Sequence, residues 1–180
     1  MSVADGNLVR SYKEANANTT ERVTKTGKLV YEERFKDLTA TLVGIETKEN
    51  DYGKQWSLKF KDGDDTYIVN LPYSSRYASS FLKALPNLNL LDNVRFMPWA
   101  MKDKNDPSKT VTGITLYQNG NKVLPAYTKE NPNGLPEMKK IKVKGKDTWD
   151  DSDMMEFLEN MAIGLFNQPS IDLQDEEAPF

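Results

Sequence analysis

Residues 38–71, LTATLVGIETKENDYGKQWSLKFKDGDDTYIVNL, alternate between runs that favour strands and clusters that favour turns. Leu38 to Thr47 is rich in β-branched residues and predicts a strand. Gly44 falls inside it, where glycine marks a bulge or a bend. ENDYGK is a turn built on Asn, Asp and Gly. From Gln55 to Lys61 the pattern alternates strictly: Trp56, Leu58 and Phe60 face one way, and Gln55, Ser57, Lys59 and Lys61 the other. A period of two with apolar residues on one side predicts a half-buried strand with a basic outer face. KDGDD then turns the chain, because Asp-Gly tolerates positive φ, and Thr66 to Leu71 returns as a third strand.

Downstream, Ser74 and Ser75 offer a helix cap. Tyr77, Phe81 and Leu85, with Ala78 and Leu82 beside them, give a helical stripe that Pro86 ends. Asp92 to Met101 predicts a strand, with Pro98 marking an edge or a bulge. KDKNDPSK is a loop, Thr110 to Tyr117 a strand and QNGNK a tight turn. Three strands, a helix and two strands across residues 38–118 follow the element order of the OB-fold. That fold is a Greek-key barrel that binds oligonucleotides through its sheet face and hairpin loops. The expected architecture is therefore mainly β with helical additions: a five-stranded OB-fold barrel with a helix between strands 3 and 4, a second helix near the C-terminus, and a disordered acidic tail.

Working outward, residues 1–27 are polar without apolar periodicity and predict a flexible arm. Leu29 to Phe35 predicts a strand within a nucleic-acid-binding domain spanning 28–146. Val123 to Gly134, with Pro125 and Pro132, is irregular. KKIKVKGK (139–146) is a basic extended stretch that either prolongs a nucleic-acid track or is an edge strand guarded by lysines. In 147–167, Asp150 caps a helix from Asp151 to Phe166 whose first turn is acidic, as the helix dipole favours. Met154, Phe157, Met161 and Leu165 supply its apolar stripe. Residues 168–180 form the tail.

The chain of 180 residues is 38% hydrophobic and 28% charged, with mean hydropathy −0.68, so the core is modest. It has no Cys and no His. Disulfides, thiolate nucleophiles, zinc fingers and histidine-dependent triads are excluded, which leaves carboxylate, Lys or Tyr chemistry for an enzyme. No run is long and apolar enough to cross a bilayer, and the first ten residues do not read as a signal peptide. A soluble, cytoplasmic protein is the expectation. All 24 Lys and Arg lie in residues 1–146 beside 17 Asp and Glu, a net of +7; residues 147–180 hold the other ten carboxylates and no base, a net of −10. A basic body followed by an acidic tail marks an interaction arm.

Binding single strands without sequence preference needs cations along the backbone and aromatic faces for bases. The 18 aromatic residues lie mostly between residues 52 and 127, interleaved with Lys. The candidates are Tyr52 and Lys54 in the first hairpin loop, Lys59 and Lys61 on the outer face, and Tyr73 and Arg76 at the helix start. Trp99 follows, then Lys102, Lys104 and Lys109 in the last hairpin, and Tyr117. Trp56, Phe60 and Tyr77 share faces with core residues and read as core, while Tyr67 reads either way. Any single Lys on this list reads equally as a solvated surface residue; the prediction rests on the cluster.

The last residues, DLQDEEAPF, resemble the acidic tip of bacterial single-stranded DNA-binding proteins, in which carboxylates precede a final Pro-Phe. Asp175, Glu176, Glu177, Pro179 and Phe180 carry the match, with Ala178 where that family usually has Ile. The body is more similar to the divergent single-stranded DNA-binding proteins of phages, since it has no Gly/Gln-rich linker and adds KKIKVKGK and a second helix. The resemblance implies sequence-independent coverage of single-stranded DNA in replication, recombination or repair. It implies that the tip docks on replication or repair proteins, and, for a phage protein, the host cytoplasm. No catalytic residue, metal or cofactor is expected. The alternatives are an OB-fold adaptor for RNA or protein, and a metal-dependent nuclease using Asp62, Asp64 and Asp65, although KDGDD reads better as a polar turn. A DNA mimic is disfavoured by the basic body.

Overall fold

In the computed structural model, residues 1–24, 26–51 and 53–167 are described. The three-strand unit is present as β5 (Leu38–Asn50), β6 (Gly53–Asp62) and β7 (Asp65–Pro72), paired antiparallel in sequence order. The register shifts between Leu42 and Gly44, so a bulge bends β5 where the mid-strand glycine predicts one. Helix α1 (Arg76–Ala84) follows, its first turn capped by the Ser75 hydroxyl, which accepts from the Ala78 N–H at 3.1 Å. β8 (Asn93–Lys102) and β9 (Thr110–Gln118) form the next hairpin, and β8 pairs with β5 from Thr41↔Asn93 to Leu38↔Phe96. Pro98 lies past that ladder, where β8 has an unpaired edge that does not need its missing N–H.

The five-stranded barrel is not what forms. The strands belong to one ten-stranded sheet, and no barrel closes. The cause lies in the N-terminal residues expected to be a loose arm. They form β1 (Ser2–Ala4), β2 (Asn7–Tyr12) and β3 (Thr20–Val23), followed by β4 (Leu29–Phe35). β1 lies parallel to β7, pairing Ser2 with Asn70, so it occupies the strand edge that barrel closure would need. The two residues Asp5 and Gly6, with φ of 50° and 72°, make the tight β1–β2 turn. A Cβ on Gly6 would lie 2.5 Å from the Ala100 nitrogen, so the turn sits directly against the β8 backbone. The remaining strand β10 (Asn121–Lys122) extends the far edge, giving the order β10-β9-β8-β5-β6-β7-β1-β2-β4-β3.

Inward-facing side chains of β5 to β9, among them Leu42, Trp56, Leu58, Phe60, Val69, Phe96 and Leu116, form the core with Phe81 and Leu82 of α1. Helix α2 (Ser152–Phe166) joins this core through Met154, Met155, Leu158 and Ala162. Its buried stripe is therefore rotated from the one expected: Phe157, Met161 and Leu165 are only partly buried. KKIKVKGK is one arm of a separate two-stranded sheet, β11 (Lys139–Val143) paired with β12 (Lys146–Asp150). The acidic residues of 147–167 therefore belong to folded elements, and the charge separation along the chain is only partly one in space. Asp147 pairs with Lys140 at 2.7 Å and Glu159 with Lys54 at 2.6 Å.

Candidate nucleic-acid interface

The face of β5 to β9 opposite the core is exposed at Lys59, Lys61, Asn93 and Arg95, whereas Ser57 on the same face of β6 is buried. Its register places Thr66, Lys61, Thr41 and Asn93 in one row across β7, β6, β5 and β8. The adjacent row holds Thr39, Arg95 and Tyr117 on β5, β8 and β9. Lys59 stands one step to the other side, between Gly44 and Ile68. Rows on one face are two residues apart, about 7 Å. Lys59, Lys61 and Arg95 are exposed and Tyr117 is half-buried. Lys59 and Lys61 have only uncharged cross-strand neighbours. Arg95, which the sequence did not single out, lies opposite Tyr117 and pairs with Asp37 at 2.7 Å; the hydrogen bond to that carboxylate holds the guanidinium in its charged form. Thr39, Asn93, Arg95, Tyr117, Asn119 and Gly120 line an open hollow of about 490 Å³ beside the Tyr117 ring.

The remaining candidates are dispersed. Lys102, Lys104 and Lys109 are exposed at the far end of the β8–β9 hairpin, and Lys109 is paired with Asp106 at 2.9 Å. Trp99 is half-buried, its ring lying flat over Gly113: a Cβ there would be 2.5 Å from Cζ2. It borders a second hollow, about 320 Å³, with Lys83, Lys122 and Tyr127 among its walls. Burial lowers the pKa of the Lys83 ammonium. Arg76 is exposed on the first turn of α1. Tyr52 and the tip residues Asp175, Glu176, Glu177, Pro179 and Phe180 lie outside the described residues.

Lys54 and Tyr73 are brought together, but by an internal partner. The Lys54 ammonium lies 4.2 Å from the centre of the Tyr73 ring. Both reach Glu159 of α2: Lys54 Nζ and Tyr73 Oη each donate to Oε2 at 2.6 Å, and Thr47 Oγ1 donates to Oε1 at 2.9 Å. Tyr73 also stacks on Trp56, with centroids 5.4 Å apart and planes 6° from parallel. Burial alone would raise the Glu159 pKa, but the three donors outweigh it and hold the carboxyl below its ordinary value. Burial, then the hydrogen bond to Glu159, raises the pKa of the Tyr73 phenol. This cluster fastens α2 to the sheet: Tyr73 is partly buried, and the Lys54 ammonium, although its side chain is 37% exposed, is already paired with Glu159.

Asp62 and Asp65 form the last pair of the β6–β7 hairpin around Gly63 and Asp64, the geometry of a polar turn. Among the described residues, no three or more Asp or Glu side chains converge as a metal site, and no helix is long and apolar enough to cross a membrane. Comparison of the chain with protein-family models, with curated proteins and with solved structures found no match.

Proposed function

We propose that this protein binds single-stranded DNA without regard to sequence, has no catalytic role, and protects exposed strands during replication, recombination or repair. The observation that carries the proposal is the strand face holding Lys59, Lys61, Arg95 and Tyr117 in adjacent rows. Two lysines without facing carboxylates are available to phosphates, and a tyrosine beside a hollow offers a surface on which a base stacks. Stacking contributes about 1–3 kcal/mol per base and tolerates every base, because each has a π-face. Lys102 and Lys104, exposed at the far end of the β8–β9 hairpin, add positive charge at a distance from this face. The acidic tip at Asp175 to Phe180 recruits replication or repair proteins and competes with DNA for the basic face. The site of action is the cytoplasm, that of the host for a phage protein.

The test is fluorescence anisotropy with labelled oligo(dT) and a matched duplex over a salt series, comparing the native chain with the double variant Lys59→Glu/Lys61→Glu. The native chain prefers the single strand, and the variant binds at least about tenfold more weakly. Its salt slope falls by about 1.4, since each phosphate contact to a single strand contributes about 0.7. Equal affinity of variant and native chain, or preference for duplex, removes the proposal. A matched RNA oligonucleotide that outcompetes the DNA reassigns the ligand to RNA.

A further inference from the structure

The β11–β12 hairpin is the part of the chain whose construction the fold does not explain. Every residue from Lys139 to Trp149 is exposed. An isolated two-stranded hairpin is marginal in water, and packing is what normally stabilises one. This one nevertheless carries a tryptophan at 61% exposure. Trp149 is directly opposite Lys140 and shares its face with Lys142 and Asp147, while Lys146, opposite Val143, lies beside the turn on the other face. Among the described residues, no aromatic ring or cation packs on its indole. Five lysines and two aspartates lie in 139–150. Asp147 is engaged by Lys140, and Lys139 pairs with Asp153 of α2, leaving Lys142, Lys144 and Lys146 without an ion pair among the described residues. Lys144 and Gly145, with φ of 48° and 79°, make a two-residue turn that holds lysines at the tip.

The root of the hairpin is fixed. Asp150 accepts from the Ser152 N–H at 3.0 Å, and Lys139 reaches across to Asp153, so the hairpin is tied to the first turn of α2. That helix is itself fastened by Glu159. An exposed ring flanked by cations, on an element tied to the body at its base, matches a polyanion that also presents flat faces. A single-stranded nucleic acid is such a ligand; a duplex hides its base faces, and an acidic peptide need not present any. Ile141 and Val143 are exposed on the opposite face, but the turn that would lead into a lipid surface is Lys144 and Gly145.

We infer that the β11–β12 hairpin is a second binding element for single-stranded nucleic acid, in which Trp149 stacks on an unpaired base while Lys142 on its face, and Lys144 and Lys146 at the turn, hold the adjoining phosphates. The inference builds on the single-strand reading above but concerns a different surface, so the two are separable. The full chain is titrated with oligo(dT) as the native protein and as Trp149→Phe, Trp149→Ala and the triple variant Lys142→Glu/Lys144→Glu/Lys146→Glu. Trp149→Ala weakens binding about tenfold, while Trp149→Phe, which keeps a ring, stays within about threefold of the native chain. The triple variant lowers the salt slope by about 2. Far-UV circular dichroism and melting stay native, since none of these side chains is in the core.

If the native chain binds and all three variants bind equally well, the hairpin assignment falls and the sheet-face reading stands. If the hairpin variants lose binding while Lys59→Glu/Lys61→Glu does not, the sheet-face reading falls and the hairpin stands. No binding by the native chain at low salt overturns both. Loss of binding to phosphatidylserine vesicles with oligonucleotide affinity intact assigns the hairpin to lipid and overturns the inference.

Discussion

Replacing Glu159 by glutamine tests how α2 is held. The carboxylate receives three donors on two oxygens: Thr47 on Oε1, and Lys54 with Tyr73 on Oε2. Glutamine keeps the shape but has one acceptor, and its amide N–H₂ then faces a donor. Hydrogen bonds to charged groups contribute about 1.5–3 kcal/mol each. The Lys54 side chain is 37% exposed, so its ion pair is screened and adds less than about 1 kcal/mol. The Tyr73 hydroxyl can rotate and accept from the amide, which recovers part of the loss. Glu159→Gln should therefore destabilise by about 2 kcal/mol at pH 7. Urea unfolding followed by tryptophan emission is a suitable assay, because Trp56 stacks on Tyr73 beside the substitution. The pH dependence gives a second check. The folded-state pKa of Glu159 lies below its ordinary 4.5, so its stabilisation is present above that value and is lost as pH falls through the lower folded value. The gap between native chain and variant should thus close on acidification. A difference under about 0.5 kcal/mol at neutral pH, or one that persists unchanged at pH 3, refutes this account of the cluster.

Three further outcomes follow from close contacts and from the tail. Gly113→Ala would set a Cβ 2.5 Å from Trp99 Cζ2, so the indole must lift away; a loss of about 1–2 kcal/mol and a red-shifted emission are expected, and unchanged emission would refute the contact. Gly6→Ala meets both a φ of +72° and the backbone nitrogen of Ala100, which cannot swing aside; the cost should be on the order of 3 kcal/mol in thermal unfolding. A cost below that of Gly113→Ala would mean that the N-terminal turn is not seated on β8. Deleting residues 168–180 removes four of the ten C-terminal carboxylates and should tighten oligonucleotide binding at low salt; unchanged or weaker binding in anisotropy counts against competition by the tail.

The middle of the chain was legible because its local signals agree. Alternation at Trp56, Leu58 and Phe60, the Asp-Gly turn, the Ser75 cap and the bulge beside Gly44 each report on neighbouring residues, and each is found. Closure of the barrel depends on which strand occupies the open edge of β7, and no local pattern in 38–118 determines that. The competitor, β1, is three residues long, and β2 buries only Leu8 and Val9, so the segment has too few apolar residues to show a period. The available signal is Asp5-Gly6, an Asp-Gly pair like the one that marks the β6–β7 hairpin, although there the two turn residues are Gly63 and Asp64. That pair makes the first residues a hairpin and supplies further strands to the sheet.

The candidate site was legible to a different degree, and Lys54 with Tyr73 shows why. A lysine over an aromatic face is what a nucleic-acid surface requires, and it is also what a folded protein uses to hold its own carboxylate. Composition cannot separate the two, because the chemistry is the same and only the source of the anion differs. Here the anion is Glu159, more than a hundred positions along the chain from Lys54, so no spacing argument reaches it. Lys59 and Lys61 differ because strand alternation points them away from the core, and their cross-strand neighbours carry no charge. Trp149 is the converse case: it lies in the acidic segment, where the count of carboxylates conceals that register sets the indole beside Lys140 and Lys142. Cations and rings therefore become evidence for a ligand only after the carboxylates of the same chain have been assigned to their own partners. On that criterion the outer sheet face and the β11–β12 hairpin remain, and the cluster beneath α2 does not.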